Sequence, residues 1–221
     1  MGGFGPETGR GADFRLRRSW GPQPCYPKVM AQLIADSHAL MVFAGPCSVE
    51  SASQVAKIAD FLVSQGVEWM RGGVYRAGTY PPREFGLQWQ ILHDFSAIAH
   101  ARGLKVLVEP VDIRLLDAVD PFVDGFQIGA RQMQNYALLE ALSGTDKLVT
   151  LKRNMGATLD EFLGAAEYLL GHSRYTPKVH LVERGSSTHM NHVRWDLSFS
   201  TIAAIKKMTG LPVLVDASHG T

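Results

Sequence analysis

From Leu40 onward, short β-rich runs alternate with longer amphipathic stretches, the pattern of successive βα units on a parallel sheet. Strands are expected at Leu40–Ala44, Trp69–Val74, Lys105–Val111, Gly125–Ala130, Lys147–Lys152, Lys178–Glu183 and Pro212–Asp216. Helices are expected at Ala52–Gln65, Leu87–Arg102, Ile113–Val119, Asn135–Leu142, Leu159–Leu170 and Asp196–Met208. Ser51 stands where the first helix should begin, and Thr158 followed by Glu161 has the spacing of a capping box. Gly66, Gly103, Gly144, Gly171 and Gly210 sit where helices should stop. Residues 1–38 are rich in Gly, Pro and Arg, with an apolar patch near Val29–Ile34. They read as a partly flexible leader ending in one helix or an edge element, ahead of a catalytic domain at 39–221.

An open doubly wound sheet and a barrel both fit this alternation. The polar residues decide between them. Nearly every strand ends in a reactive or charged group: Cys47, Arg71 with Arg76, Glu109, Arg131, Lys152 with Arg153, Glu183 with Arg184, and Asp216 with His219. TIM-type barrels draw their chemistry from the C-terminal ends of many strands, whereas a Rossmann-like sheet concentrates it at one switch point behind a glycine-rich turn. No GxGxxG or P-loop pattern opens a helix here. The fold expected is therefore an α/β TIM-type (β/α)8 barrel. The last predicted strand runs into Ser218–Thr221. Closure of eight strands needs roughly 40 to 50 further residues, so the barrel reads as incomplete, lacking about its last helix–strand–helix.

Composition narrows the class. The 221 residues suit one domain with a sizeable core, and 46% hydrophobic with 19% charged residues is ordinary for a soluble enzyme. A formal charge of +1 supplies no field favouring nucleic acid or an anionic membrane. No apolar run approaches the roughly 18 residues needed to cross a bilayer. Arg10, Arg15, Arg17 and Arg18 lack the apolar stretch that would follow in a secretory signal. Two cysteines, Cys25 and Cys47, make no disulfide framework, and a cytoplasmic location is the expectation.

Arg71, Arg131, Lys152, Arg153 and Arg184 would gather at one barrel mouth. Unpaired buried charge is costly, so such a set implies an anionic ligand, with phosphate and carboxylate suited to bidentate guanidinium groups. The alternative is that each arginine pairs with a neighbouring carboxylate. Cys47 and His219 would be close if the sheet curls, and thiolate with imidazole suits a divalent transition metal. Two ligands are too few, and packing for Cys47 and solvation for His219 stay open. Glu109 and Asp216 could serve a metal-bound water, or neutralise Arg71 or Lys152.

Read as text, the segments Ala44-Gly-Pro-Cys-Ser-Val-Glu-Ser51, Arg71-Gly-Gly73, Gln127-Ile-Gly-Ala-Arg-Gln-Met-Gln-Asn135, Leu151-Lys-Arg153, Glu183-Arg-Gly185, Asp196-Leu-Ser198 and Pro212-Val-Leu-Val-Asp-Ala-Ser-His219 stand in a distinctive order. In order and spacing they resemble the DAHP synthases of the short bacterial type, and the related KDO8P synthases, from about Val42 to Thr221. The resemblance implies condensation of phosphoenolpyruvate with an aldose phosphate to a 3-deoxy-2-ulosonate phosphate in aromatic amino acid biosynthesis. KDO8P synthase activity, or a non-catalytic relative that binds phosphorylated ligands, is the alternative. It further implies that Arg71, Arg131, Lys152 and Arg184 bind substrate, and that Arg76, Lys152 and Asp216 are catalytic. Cys47 and His219 would be two of four ligands to a divalent metal (Mn, Fe, Zn or Co). Small-molecule substrates and a homo-oligomer are implied as partners; nucleic acid and membrane are not.

The chain departs from the family on the acceptor side. Arg76-Ala-Gly-Thr-Tyr80 stands where the family has Lys-Pro-Arg-Thr-Ser or Lys-Ala-Asn-Arg-Ser-Ser. Arg76 thus replaces a lysine, and Gly78 an arginine that would grip the acceptor's phosphate. The loop after Gly185 is about two residues shorter, with Ser186, Ser187 and His192 where further cations are expected. The family's last two metal ligands have no counterpart here.

Overall fold

The computed structural model describes residues 41–76, 86–171, 178–189 and 192–220. The expected leader and the segment 77–80 lie outside the described residues. The strands are β1 (Phe43–Ala44), β2 (Trp69–Gly72), β3 (Tyr75–Arg76), β4 (Gly86–Leu87), β5 (Lys105–Val108), β6 (Gly125–Ile128), β7 (Leu148–Lys152), β8 (Lys178–Glu183) and β9 (Val213–Val215). The helices are α1 (Ala52–Ser64), α2 (Trp89–His100), α3 (Leu116–Val119), α4 (Tyr136–Leu142), α5 (Leu159–Leu170) and α6 (Phe199–Thr209).

Seven strands form one all-parallel sheet in the order β1-β2-β5-β6-β7-β8-β9. Sheet order follows chain order, so the sheet is wound in one direction and curls as a half-barrel, with no switch point of the doubly wound kind. Helices cover one face. On α1 the buried positions are Val55, Ala59 and Leu62, the spacing of one helical stripe. They join Val106, Val108, Phe126, Ile128, Val149, Leu151, Val179 and Leu181 in the main core. Alternate strand positions face the other way. There Trp69, Leu107 and Leu148, with Phe43 against them, make a separate apolar cluster at the base of the concave side. Above it lie buried Gln127 and Thr150, and Lys152 follows at the top of β7. The concave face thus grades from apolar to polar to charged.

Local signals hold where they were strong. Ser51 accepts from the Gln54 N–H, and the Thr158–Glu161 capping box is made in both directions. Differences fall at element ends. Gln88 is extended and caps α2, because Tyr75 and Arg76 pair antiparallel with Leu87 and Gly86. Before α6, Asp196 bridges Ser186 in both hydrogen-bond directions, and Ser198 takes the cap. Gly171, expected in a left-handed conformation, has φ −78°. No described helix is long and apolar enough to cross a membrane.

Candidate active site

The β1 and β2 ends interlock through glycine. A side chain on Gly45, which has φ +147°, would collide with the Arg71 carbonyl; one on Gly73 would collide with the Cys47 carbonyl. The Val49 N–H donates to the Gly73 carbonyl at 2.9 Å, and Arg71 Nη1 donates to the Pro46 carbonyl at 2.9 Å. The Gly-Pro-Cys turn and the Arg-Gly-Gly strand end are therefore one packed unit. It fixes exposed Cys47 beside Arg71.

Glu109, just past β5, is the acidic centre. Burial pushes its carboxyl up from the ordinary range, against the pull of Lys152, Arg71, Arg131 and a hydrogen bond from the Gly129 N–H. Arg71 lies on β2, Lys152 on β7, and Gly129 and Arg131 just past β6, so Glu109 is approached from both sides of β5. A Cβ on Gly129 would strike the Glu109 carboxylate.

Lys152 Nζ donates to Asp216 Oδ2 at 2.7 Å, and the same oxygen meets His219 Nδ1 at 2.8 Å. Burial alone would raise the Asp216 carboxyl. The Lys152 hydrogen bond and charge, with His219, outweigh it, and the net direction is down. Burial lowers the His219 imidazole, against the opposing pull of Asp216.

The expectation of five converging cations needs one correction. Arg153 is locked in a buried fork with Glu183, Nε to Oε2 at 2.6 Å and Nη2 to Oε1 at 2.9 Å. Its remaining donors reach the Ala157 carbonyl and Ser186 Oγ. Adjacent residues of an extended segment point to opposite sides, so Lys152 and Arg153 do not share the mouth. Arg184 differs. It is 4% exposed, its guanidinium lies 5.0 Å from the Trp195 ring centroid, and its Nη1 is buried with no hydrogen-bond partner among the described residues. Burial lowers its pKa; Asp216 opposes this, while the like charges of Arg194 and Arg131 add to it. Arg71, Arg131, Lys152 and Arg184 are thus brought together around Glu109 and Asp216. The Arg76 backbone ends β3, and its side chain lies outside the described residues.

Cys47 and His219 have the donor chemistry for a divalent transition metal. With Nδ1 held by Asp216, the imidazole keeps Nε2 for a ligand, the carboxylate–histidine arrangement of metal sites. They would be two of the three or four protein ligands such a site uses. Among the described residues no group of three or more His, Cys, Asp or Glu could hold a metal. The sequence showed neither the Gly129–Glu109 packing nor the Arg194–Trp195 pair, and for Arg153 the alternative of carboxylate pairing is the one that holds. The Arg-Trp dipeptide beside an Arg-rich mouth was the one available signal.

The DAHP synthetase I family model matches residues 27–221. The chain is 38% identical over 178 residues to phospho-2-dehydro-3-deoxyheptonate aldolase of Thermotoga maritima, covering 80% of this chain and 52% of that protein. It is 29% identical over 188 residues to 2-dehydro-3-deoxyphosphooctonate aldolase of Nitrobacter hamburgensis, covering 81% and 64%. The solved Thermotoga maritima DAHP synthase superposes with a TM-score of 0.73 at 37% identity, covering 80% of this chain and 50% of that one. The chain therefore spans about half to two thirds of the length of the relatives it matches.

Proposed function

The chain belongs to the DAHP synthetase I family, and from that premise we propose that it is a transferase condensing phosphoenolpyruvate with an aldose phosphate. The observation that carries this is the buried, partly unpartnered Arg184 beside like-charged Arg131. Lys152, Arg71 and Arg131 act on Glu109, and Arg184 keeps a buried donor that no described residue accepts from. Converging donors of this kind stabilise a compact polyanion. Phosphoenolpyruvate carries a phosphate and a carboxylate on three carbons and fits that demand.

On this reading Arg131, Lys152 and Arg184 hold the two anionic groups, and Arg71 lines the same mouth. The methylene carbon of phosphoenolpyruvate bonds to the acceptor's aldehyde carbon, whose oxygen takes a proton. Water adds to the enol carbon, and the bond from that carbon to the phosphate oxygen breaks, releasing inorganic phosphate. Asp216 anchors Lys152 by its ion pair, so the ammonium is fixed where phosphate charge shifts. Arg76 stands in the sequence where the family has a lysine, and on this reading it supplies a further cation to the donor. Cys47 and His219 would contribute to a divalent metal, which supplies Lewis-acid polarisation of the aldehyde. The half-barrel corresponds to the first seven strands of a TIM-type (β/α)8 barrel.

Carbon counting separates two acceptors. A heptonate product requires a four-carbon aldose phosphate, and an octonate product a five-carbon one. The heptonate reading leads, because the heptonate relative is the more similar. Phosphate release from phosphoenolpyruvate, assayed with erythrose 4-phosphate and with a five-carbon aldose phosphate, is the test. Turnover with the first supports the reading. Turnover with the second alone moves it to the octonate branch, and release with neither overturns it.

A further inference from the structure

The loop after β8 folds back through the Ser186–Asp196 bridge and lays Arg194 and Trp195 over the strand end. Gly185, at φ +92°, makes this possible: a Cβ there would lie 3.0 Å from Trp195 Cβ and 3.2 Å from the Asp196 carbonyl. The guanidinium groups of Arg184 and Arg194 stand 5.0 and 5.6 Å from the indole centroid. Two buried N–H groups in this cluster have no partner among the described residues, Arg184 Nη1 and Trp195 Nε1. All of these groups are donors and none can accept, and two of them are permanent cations, so the cluster suits the oxygens of an anion. Among the described residues no carboxylate forms an ion pair with Arg194, which is exposed. Beyond Arg184 it is the only permanent cation among the described residues of this loop.

We infer that Arg194 and the Trp195 indole N–H form, alongside Arg184, the subsite that takes the phosphate of the aldose phosphate acceptor. This rests on the donor reading above, which assigns Arg131, Lys152 and Arg184 to phosphoenolpyruvate. Arg194 lies beyond that cluster, on a loop rather than a strand end, as suits the far end of a second substrate. It also accounts for the serines and histidine where this loop was expected to carry other cations. An anion on Arg194 would screen Arg184 from the like charge it now faces, so the two subsites would fill cooperatively.

The test is calorimetric titration of the full chain, first with phosphoenolpyruvate, then, at saturation, with glycerol 3-phosphate, a phosphate monoester that has no aldehyde and cannot condense. Wild type should bind one equivalent of each. Arg194→Gln should weaken the glycerol 3-phosphate step by about tenfold or more while phosphoenolpyruvate affinity changes by less than about threefold. Trp195→Phe, which keeps an aromatic face and removes the N–H, should weaken the same step by about threefold to tenfold. Unchanged glycerol 3-phosphate binding in both variants, at wild-type melting temperature, overturns the inference alone. An equal loss in both steps puts Arg194 in the donor site and also overturns it. If wild type fails to bind phosphoenolpyruvate, the donor reading falls and takes this one with it.

Discussion

Arg153 and Arg184 are both buried arginines just beyond strand ends, and they differ in what they meet. Arg153 has its carboxylate, two forked contacts to Glu183 that also receives the Gly185 N–H at 2.8 Å. Removing one partner strands the other charge, so Arg153→Met should cost about 3 to 5 kcal/mol in chemical denaturation. A loss under about 1 kcal/mol would contradict a structural role for this pair. Which arginines pair was illegible in the sequence, because the decision depends on which side of an extended segment each residue takes. Lys152-Arg153 splits its two cations between mouth and helix layer. The pH response is a second residue-scale outcome. His219 has a folded pKa below its ordinary 6.5, so the unfolded chain takes up the proton first. Its contribution is intact above 6.5 and declines as pH falls toward the lowered value. His180, lowered by burial, acts in the same sense. Asp216, net lowered from 3.8, loses its contribution further down, as pH falls through the folded value. His219→Gln should therefore flatten the first part of the acid decline in denaturation midpoint and leave the carboxylate part. An unchanged slope just below pH 6.5 would contradict this assignment.

At the scale of elements, two strand ends depend on the close approach that only glycine allows. Gly73 lies so near the Cys47 carbonyl, and Gly129 so near the Glu109 carboxylate, that no Cβ fits at either. Gly73→Ala should separate the β1 turn from β2 and cost about 1 to 3 kcal/mol or more, read from denaturant midpoints. Gly129→Ala should displace the Glu109 carboxylate; an unshifted midpoint and unchanged phosphoenolpyruvate affinity would refute that packing. Element existence was legible because periodicity changes between 2 and 3.6 along the chain. Lys178–Glu183 and Leu159–Leu170 match in full. Most strands were read too long at their C-terminal ends, since Glu109, Gly129 and Asp216 directly follow the apolar runs in sequence but lie past the last sheet pairings. The β3–β4 pairing was missed, as two-residue strands carry no periodic signal.

For the molecule as a whole, the sequence distinguished a one-way barrel from an open sheet by scattering its charges over many strand ends, and the observed strand order agrees. Its convergence at one mouth was not legible residue by residue, because curl is a property of the whole sheet. If Arg131, Lys152 and Arg184, from three separate strand ends, bind one polyanion, each should contribute to its affinity. Phosphoenolpyruvate titrated into wild type, Arg131→Gln, Lys152→Met and Arg184→Gln should find one site per chain, weakened by about tenfold or more in each variant, each with a wild-type fold by circular dichroism. Wild-type affinity in any two of the three variants would contradict it.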